Sequence, residues 1–278
     1  MKIKLLIALT LVSFKITHSQ NHLTDSIVAE GKRLYHSEMA AWCGTDLFLE
    51  KFKEQQGNIG GYLAYENQGT ARCVFYSKGD TPAVLATITF DSTYSTQTAQ
   101  IDNAPRMLND FEAKLTAIRM KAISIVNSDT MFKSYNNTNL NVIPIIGELE
   151  NKVYILTGPK VAGVLVLGND YLLTFDKENN LTGKKQLHRN IITIEYGKPN
   201  QVVLGTIHSH LPETGDYITA TDICTLMLYS KLTKWKQHMV MSNDYISIWD
   251  CEKDQLTTIT REAWDSINTD LKKRRNKN

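Results

Sequence analysis

Cysteine is scarce in this chain, and the cysteines present are not arranged as metal ligands. Four occur in 278 residues, and no two of them form a Cys-x-x-Cys pair; they are Cys43, Cys73, Cys224 and Cys251. This spacing argues against a zinc ribbon or another metal site built from cysteine. It leaves open whether the thiols stay reduced or two of them form one disulfide.

The chain also lacks the excess of positive charge on which nucleic-acid binding usually depends. Its formal net charge is +2, and removal of the three lysines among the first 19 residues would change it to −1. A near-neutral protein does not have the excess of positive charge that attracts nucleic acid. The one basic run, residues 272–277, is at the end of the sequence and is typical of a solvated, frayed helix end.

No apolar run in the sequence is long enough to cross a membrane. The run Leu5–Phe14 is too short, because a spanning helix needs about 20 apolar residues. Lys2 and Lys4 precede this run and small or polar residues follow it, which is the pattern of a secretory signal peptide. We therefore predict a signal peptide over residues 1–19, cleaved near Ser19–Gln20, and a mature protein that is secreted or periplasmic.

The sequence contains no internal repeat and no low-complexity tract, so polar segments are the best guide to its domains. Its hydrophobic fraction of 42% is ordinary for a globular protein. Polar, aperiodic residues predict a linker over 128–146. Before it we predict a smaller α+β region over 20–127. After it we predict an α/β domain over 147–278, with a mixed sheet flanked by helices.

Local patterns predict the main elements of these regions. A helix is expected over about 23–55, with a break at Gly44, and a second over about Arg106 to Val126. Asn67-Gln68-Gly69 between two β-rich runs indicates a hairpin. Thr260 is expected to cap a terminal helix that begins near Arg261.

The most informative motif is His208-Ser209-His210, followed after a loop by Thr219-Ala220-Thr221-Asp222. Residues at i and i+2 of a strand point to the same face, so the two imidazoles can bind the same metal ion. A carboxylate in the first turn of the following helix can add a third ligand. Three protein ligands with one position left for water is the arrangement of catalytic zinc.

This strand–HxH–loop–helix pattern resembles the JAMM (JAB/MPN) metalloprotease family, whose signature is H-x-H, seven residues and then S-x-x-D. The resemblance covers residues from about 147 to 262. The chain departs from the signature in three ways: Leu211 stands where proline is usual, the loop has eight residues, and Thr219 replaces serine. The longer loop can still deliver Asp222, and threonine keeps the hydroxyl.

The resemblance implies a specific site. His208, His210 and Asp222 would bind Zn²⁺, and Thr219 would donate a hydrogen bond to the oxyanion of the tetrahedral intermediate. Thr219 and Asp222 also match a helix capping box, and both interpretations can hold together. His188 could approach the site from a neighbouring strand, but it is left outside the predicted ligand set, because a lone histidine is more often structural.

Members of this family use a glutamate as general base, and the sequence does not identify one unambiguously. Glu150, just before a β-rich segment, is the first candidate, and Glu148 is the fallback. Glu195 is expected at a hairpin tip. If the strand over 161–168 is the equivalent one, Lys160 or Val161 occupies the place of the glutamate, and turnover would be crippled.

These observations lead to one main functional hypothesis and two alternatives. The main one is an exported zinc-dependent hydrolase of peptide or isopeptide bonds, acting on a peptide or protein substrate. The first alternative is a non-catalytic scaffold of the same fold that binds a partner or peptide in the cell envelope. The second is a secreted structural protein without metal.

Overall fold

The computed structural model describes residues 2–198 and 202–276, and the side chains of residues 22–198, 202–274 and 276. The predicted signal peptide, residues 1–19, lies outside the residues whose side chains are described. The described part of the chain is a mixed α/β structure with several antiparallel sheets and helices, as predicted at that level. None of its helices is long and apolar enough to cross a membrane.

The first part of the chain consists of a long helix and an antiparallel sheet. Its elements are α1 (Lys2–Lys51), a short 3₁₀ helix (Lys53–Asn58), β1 (Ile59–Asn67), β2 (Thr70–Ser77), β3 (Ala83–Phe90), β4 (Gln100–Asp102) and β5 (Arg106–Met107). Strands β1 to β4 are adjacent in that order, and β5 pairs with β3. The predicted hairpin is present, and its turn residues Gln68 and Gly69 have positive φ angles of 52° and 74°.

The predicted break of the first helix at Gly44 is wrong, because α1 continues through it to Lys51. A side chain at Gly44 would place its Cβ 2.5 Å from the Cβ of Cys73. Glycine is therefore needed here for close packing of α1 on β2. All four cysteines are free, Cys73 among them.

The helix predicted over about Arg106 to Val126 is α2 (Asp110–Ser128). It begins later than predicted, because Asn109 caps it: the Asn109 side chain accepts a hydrogen bond from the Glu112 backbone, and the Glu112 carboxylate accepts one from the Asn109 backbone. This reciprocal capping box satisfies backbone donors that would otherwise lack partners at the helix start.

The second part of the chain contains three small sheets and two helices. Its elements are β6 (Thr138–Ile146), β7 (Asn151–Pro159), β8 (Val164–Gly168), β9 (Tyr171–Phe175), β10 (Leu181–Gln186), β11 (Ile191–Glu195), β12 (Gly205–Ser209), α3 (Ala220–Thr233), β13 (Gln237–Met241), β14 (Tyr245–Asp250), β15 (Gln255–Thr260) and α4 (Arg261–Arg275). The sheets have the strand orders β10-β9-β7-β6, β11-β8 and β12-β13-β14-β15. Strands β12 and β13 are parallel, and Thr260 caps α4 as predicted.

Residues 138–146, which their polarity assigned to the linker, form β6. This strand pairs with β7 along its whole length, from Thr138 opposite Pro159 to Ile146 opposite Asn151. One of the polar residues that suggested a linker, Asn141, has a structural partner: its amide donates to the Glu38 carboxylate of α1 at 2.8 Å. A polar side chain used for packing looks, in sequence, like one exposed to solvent.

Helix α1 joins the two parts of the chain. Ile27 and Val28 pack against the buried cluster that contains Ile223 and Trp249, and Glu30 forms an ion pair with Lys152 of β7 at 3.0 Å. The helix that precedes the first sheet thus contributes to the core around α3.

Gly31 allows α1 to approach the start of α3. A Cβ at this position would lie 2.7 Å from a methyl carbon of Ile223 and 3.0 Å from the Ala220 carbonyl oxygen. We expect Gly31→Val to lower the free energy of unfolding by about 1–3 kcal/mol, because overpacking displaces backbone. The matched control is Gly57→Val, where nothing lies within 4 Å and a change within about 0.5 kcal/mol is expected. Urea denaturation of both variants tests this; equal stabilities would show that the contact is not tight.

Candidate metal centre

Strand β12 places two histidines on one side of its sheet. In the parallel pairing of β12 with β13, His208 is opposite Val240, and the His210 backbone N–H extends the ladder by donating to Met241 at 2.8 Å. The rings of His208 and His210 have centroids 5.0 Å apart. The i, i+2 spacing therefore brings the two imidazoles together, as expected for an extended segment.

Asp222 reaches the same place from the first turn of α3. Its carboxylate oxygen Oδ2 accepts hydrogen bonds from the Thr219 backbone at 3.0 Å and from the Thr219 hydroxyl at 2.8 Å. In return, the Asp222 backbone donates to the Thr219 hydroxyl at 3.1 Å. The capping box and the approach of Asp222 to the histidines occur together. The Thr219 hydroxyl is engaged with Asp222, which makes it a positioning group for that carboxylate.

His188 completes the group, although the sequence interpretation left it out. It lies between β10 and β11, and its Nε2 atom is 3.1 Å from His210 Nε2 and 3.4 Å from Asp222 Oδ2. No spacing rule connects it with His208, because His188 lies in a loop outside the sheet of His208 and the two meet only in the folded chain. The structure places His188 in the group with His208, His210 and Asp222, although the sequence favours a structural role for it.

The four side chains are arranged as a ligand shell. One ligand atom from each of His188, His208, His210 and Asp222 lies within 4.8 Å of the others, and all four residues are buried. His210 Nε2 is 3.2 Å from Asp222 Oδ2, and His208 Nε2 is 3.7 Å from Asp222 Oδ1. Zinc–ligand bonds near 2.0 Å imply a tetrahedron edge of about 3.3 Å, and the separation of His210 Nε2 from Asp222 Oδ2 is close to that value.

Two of these ligand atoms have no hydrogen-bond partner among the residues that the structure describes. They are His208 Nε2 and Asp222 Oδ1, both buried. A buried polar atom without a partner costs roughly 1–3 kcal/mol, so such atoms need an explanation. A cation held between them would satisfy both, and the donor set of imidazoles and a carboxylate suits a transition metal such as zinc.

The charged groups of the centre strongly affect one another's pKa values. Burial alone would lower the pKa of His188, but the carboxylates of Asp222 and Asp170 outweigh it and raise the pKa to about 10. Burial lowers the pKa of His208 to about 4. Burial would raise the pKa of Asp222, but the neighbouring His188 and His208 hold it well below its usual range. The pocket therefore favours positive charge next to Asp222.

A second carboxylate, that of Asp170, lies next to the other ring nitrogen of His188, Nδ1. Its Oδ2 atom is 3.5 Å from His188 Nδ1, and its Oδ1 atom accepts a hydrogen bond from the Thr157 backbone at 3.0 Å. The tight turn of Gly168 and Asn169, with φ angles of 89° and 55°, directs Asp170 inward. Metal-binding histidines commonly have such a carboxylate on the opposite ring nitrogen.

A further histidine outside the group, His238 of β13, contacts the ring of His208. His238 Nε2 is 2.8 Å from His208 Nδ1, and His238 Nδ1 is 2.7 Å from the Thr206 hydroxyl. The His238 side chain is fully buried, and burial lowers its pKa to about 3. These contacts fix the orientation of the His208 ring, whose remaining nitrogen faces the other ligands.

The predicted general base does not lie in this group. Glu150 is in the turn before β7, half-exposed, 3.9 Å from Lys152. Thr157, which contacts Asp170, is seven residue steps further along extended chain, and at about 3.3 Å per step this is roughly 23 Å. Glu148 is exposed in the same turn, and Glu195 is exposed at the end of β11, paired with Lys198 at 2.7 Å.

Comparison with known proteins provides no family for the chain. No protein-family model matches it, and no curated protein matches it. The interpretation of the centre therefore rests on its own geometry.

Proposed function

We propose that this protein binds one zinc ion per chain through His188, His208, His210 and Asp222. The observation that carries the proposal is the convergence of four buried side chains whose ligand atoms lie within 4.8 Å of one another; two of these atoms lack a hydrogen-bond partner among the described residues. Zinc suits three imidazoles and one carboxylate, and it favours four ligands in a tetrahedral arrangement. Magnesium and calcium prefer shells made of oxygen atoms.

The ligand set supports a closed centre in a non-catalytic scaffold. Structural zinc sites have four protein ligands, whereas catalytic sites keep one position for water or substrate. Here His188 occupies the fourth position, and the described glutamates are outside the ligand group. Metal at this site would tie the β10–β11 connection, β12 and the start of α3 together. On this reading the protein is a zinc-stabilised scaffold of JAMM-like type that binds a partner or peptide in the cell envelope.

A second function, hydrolysis of peptide or isopeptide bonds, is favoured by the pairing of His188 with Asp170. If His208, His210 and Asp222 alone hold the ion, the charge of the ion offsets that of Asp222, which otherwise keeps His188 protonated. His188 can then accept and return a proton at Nε2, with Asp170 3.5 Å from Nδ1. This pair would take the role of the missing glutamate. Zinc with three protein ligands lowers the pKa of a bound water to about 7 and polarises a carbonyl group.

The location of the protein follows from the predicted signal peptide. Cleavage near Ser19–Gln20 would release a mature protein into the periplasm or the medium, where envelope peptides and secreted proteins are the available partners or substrates. N-terminal sequencing of the mature protein is the direct check of this part of the proposal.

The metal proposal is tested on the mature protein purified without added zinc. We expect elemental analysis to find about one zinc per chain, and the metal-free protein to take up one equivalent in a calorimetric titration. An excess of magnesium or calcium should not compete. Protein that neither retains nor takes up zinc at micromolar concentrations would overturn the proposal.

A further inference from the structure

A cavity of about 240 Å³ lies between α1, the β6–β7 pair and α3, and none of the four metal ligands lines it. Its walls include one carboxylate and three aromatic rings, those of Glu38, Trp42, Tyr62 and Tyr229. Neither the proposed metal centre nor its supporting residues make use of these four side chains.

The Glu38 carboxylate has no cationic partner in this cavity. One oxygen, Oε2, accepts a hydrogen bond from the Asn141 amide at 2.8 Å, and the other has no donor among the described residues. No lysine or arginine side chain of the described chain lies within 4 Å of it. Burial raises the pKa of Glu38 to about 7, against the smaller opposing effects of Asn141 and Arg119. A cation in the cavity would offset this cost of burial.

The aromatic walls suit the apolar part of such a cation. The rings of Trp42 and Tyr229 have centroids 6.3 Å apart at an angle of 48°, so they form two faces of a corner. Trp42 is 46% exposed, which is unusual for so large an apolar ring. Tyr62 forms another wall, and Arg119 stacks on its ring at 5.1 Å. Aromatic faces attract ammonium groups through the negative charge of their π systems.

We propose that this cavity binds a small alkylammonium ion, with Glu38 as its counter-ion and Trp42, Tyr62 and Tyr229 as its aromatic walls. The volume sets the size of the ligand. A cavity of 240 Å³ corresponds to about eight water molecules at roughly 30 Å³ each. This space fits either a free quaternary ammonium compound such as choline or the end of a lysine side chain from a peptide.

The test is a calorimetric titration of the mature protein at pH 8 with three probes. Choline represents the free quaternary ammonium compound, n-butylammonium represents a lysine side chain, and 3,3-dimethylbutan-1-ol is the neutral isostere of choline. We expect saturable binding of at least one cation at millimolar concentrations or below. The neutral isostere should bind at least about tenfold more weakly, because it loses both the ion pair and the cation–π attraction.

Variants on α1 show whether the cavity is the binding site. Glu38→Gln should weaken binding of the preferred cation at least about tenfold, and Trp42→Leu should weaken it severalfold. The matched control is Glu50→Gln, an exposed position on the same helix, which should bind as wild type does. Circular dichroism and thermal unfolding establish that each variant is folded.

The relative affinities identify the source of the ligand. Tighter binding of choline assigns the cavity to a free quaternary ammonium compound, and tighter binding of n-butylammonium assigns it to a lysine side chain. No saturable binding of either cation, or equal binding by folded Glu38→Gln, would overturn the proposal. Neither result depends on zinc, so the test is independent of the metal centre.

Discussion

Loss of zinc is the expected result of replacing His208 and His210 together by alanine. The two imidazoles supply half of the ligand shell, and the atoms left behind, from His188 and Asp222, cannot hold a divalent ion tightly. The melting temperature should fall as well. Zinc present at 100 times its dissociation constant stabilises the fold by about 2.7 kcal/mol, which corresponds to several degrees for a chain of this size.

Elemental analysis and thermal unfolding, each with and without a chelator, decide this prediction. The chelator should lower the melting temperature of wild type to that of the double variant, and should not affect the double variant itself. The control is His22→Ala, an exposed histidine outside the centre, which should retain zinc and stability. Unchanged zinc content in the double variant would remove these two residues from the site.

The His188→Ala substitution separates the two proposed functions. If His188 is the fourth ligand, its loss should weaken zinc binding by at least about a hundredfold, the upper end of the effect of residues that only support ligands. Asp170→Asn should then weaken zinc binding by about 10–100-fold, since Asp170 orients the His188 ring. Glu150→Gln is the control and should change nothing, because its side chain is half-exposed and remote from the ligands.

Competition against a chromophoric chelator measures these affinities, and a peptide library measures turnover. Under the hydrolase reading the outcome differs: His188→Ala would keep one tightly bound zinc and lose turnover by about 10²–10⁴-fold. A His188→Ala variant with wild-type zinc affinity and no catalytic defect would exclude His188 from both roles.

The residues of the centre differ in how far the sequence could predict them. The pair His208 and His210 depends only on strand periodicity, and Asp222 depends only on the position of a helix cap. Both are local rules, and the structure brings these three residues together. His188 and Asp170 could not be derived in this way, because their approach depends on how the β8–β11 region docks against β12 and α3.

The misplacement of Glu150 has a related cause. Glu150 is the first candidate because it precedes a β-rich segment. That segment is β7, one end of which lies near the centre. It is the far end of β7, at Thr157, that contacts Asp170, and the sequence carries no signal for which end of a strand approaches a site.

In the fold, too, local patterns predict some features and not others. The hairpin of β1 and β2 and the cap of α4 follow from local patterns, whereas the path of α1 through Gly44 is determined by a neighbouring strand.

The contacts of His238 with His208 and Thr206 restrict which ring nitrogens of the two histidines carry protons. If His208 gives the lone pair of Nε2 to a metal, its Nδ1 carries the proton and donates to His238 Nε2. His238 must then be the tautomer protonated at Nδ1, and the Thr206 hydroxyl must accept from it. Position 238 thus calls for a side chain that accepts at one end and donates at the other. Lysine lacks the acceptor and leucine lacks both, so histidine serves here as a connector between the Thr206 hydroxyl and the ring of His208.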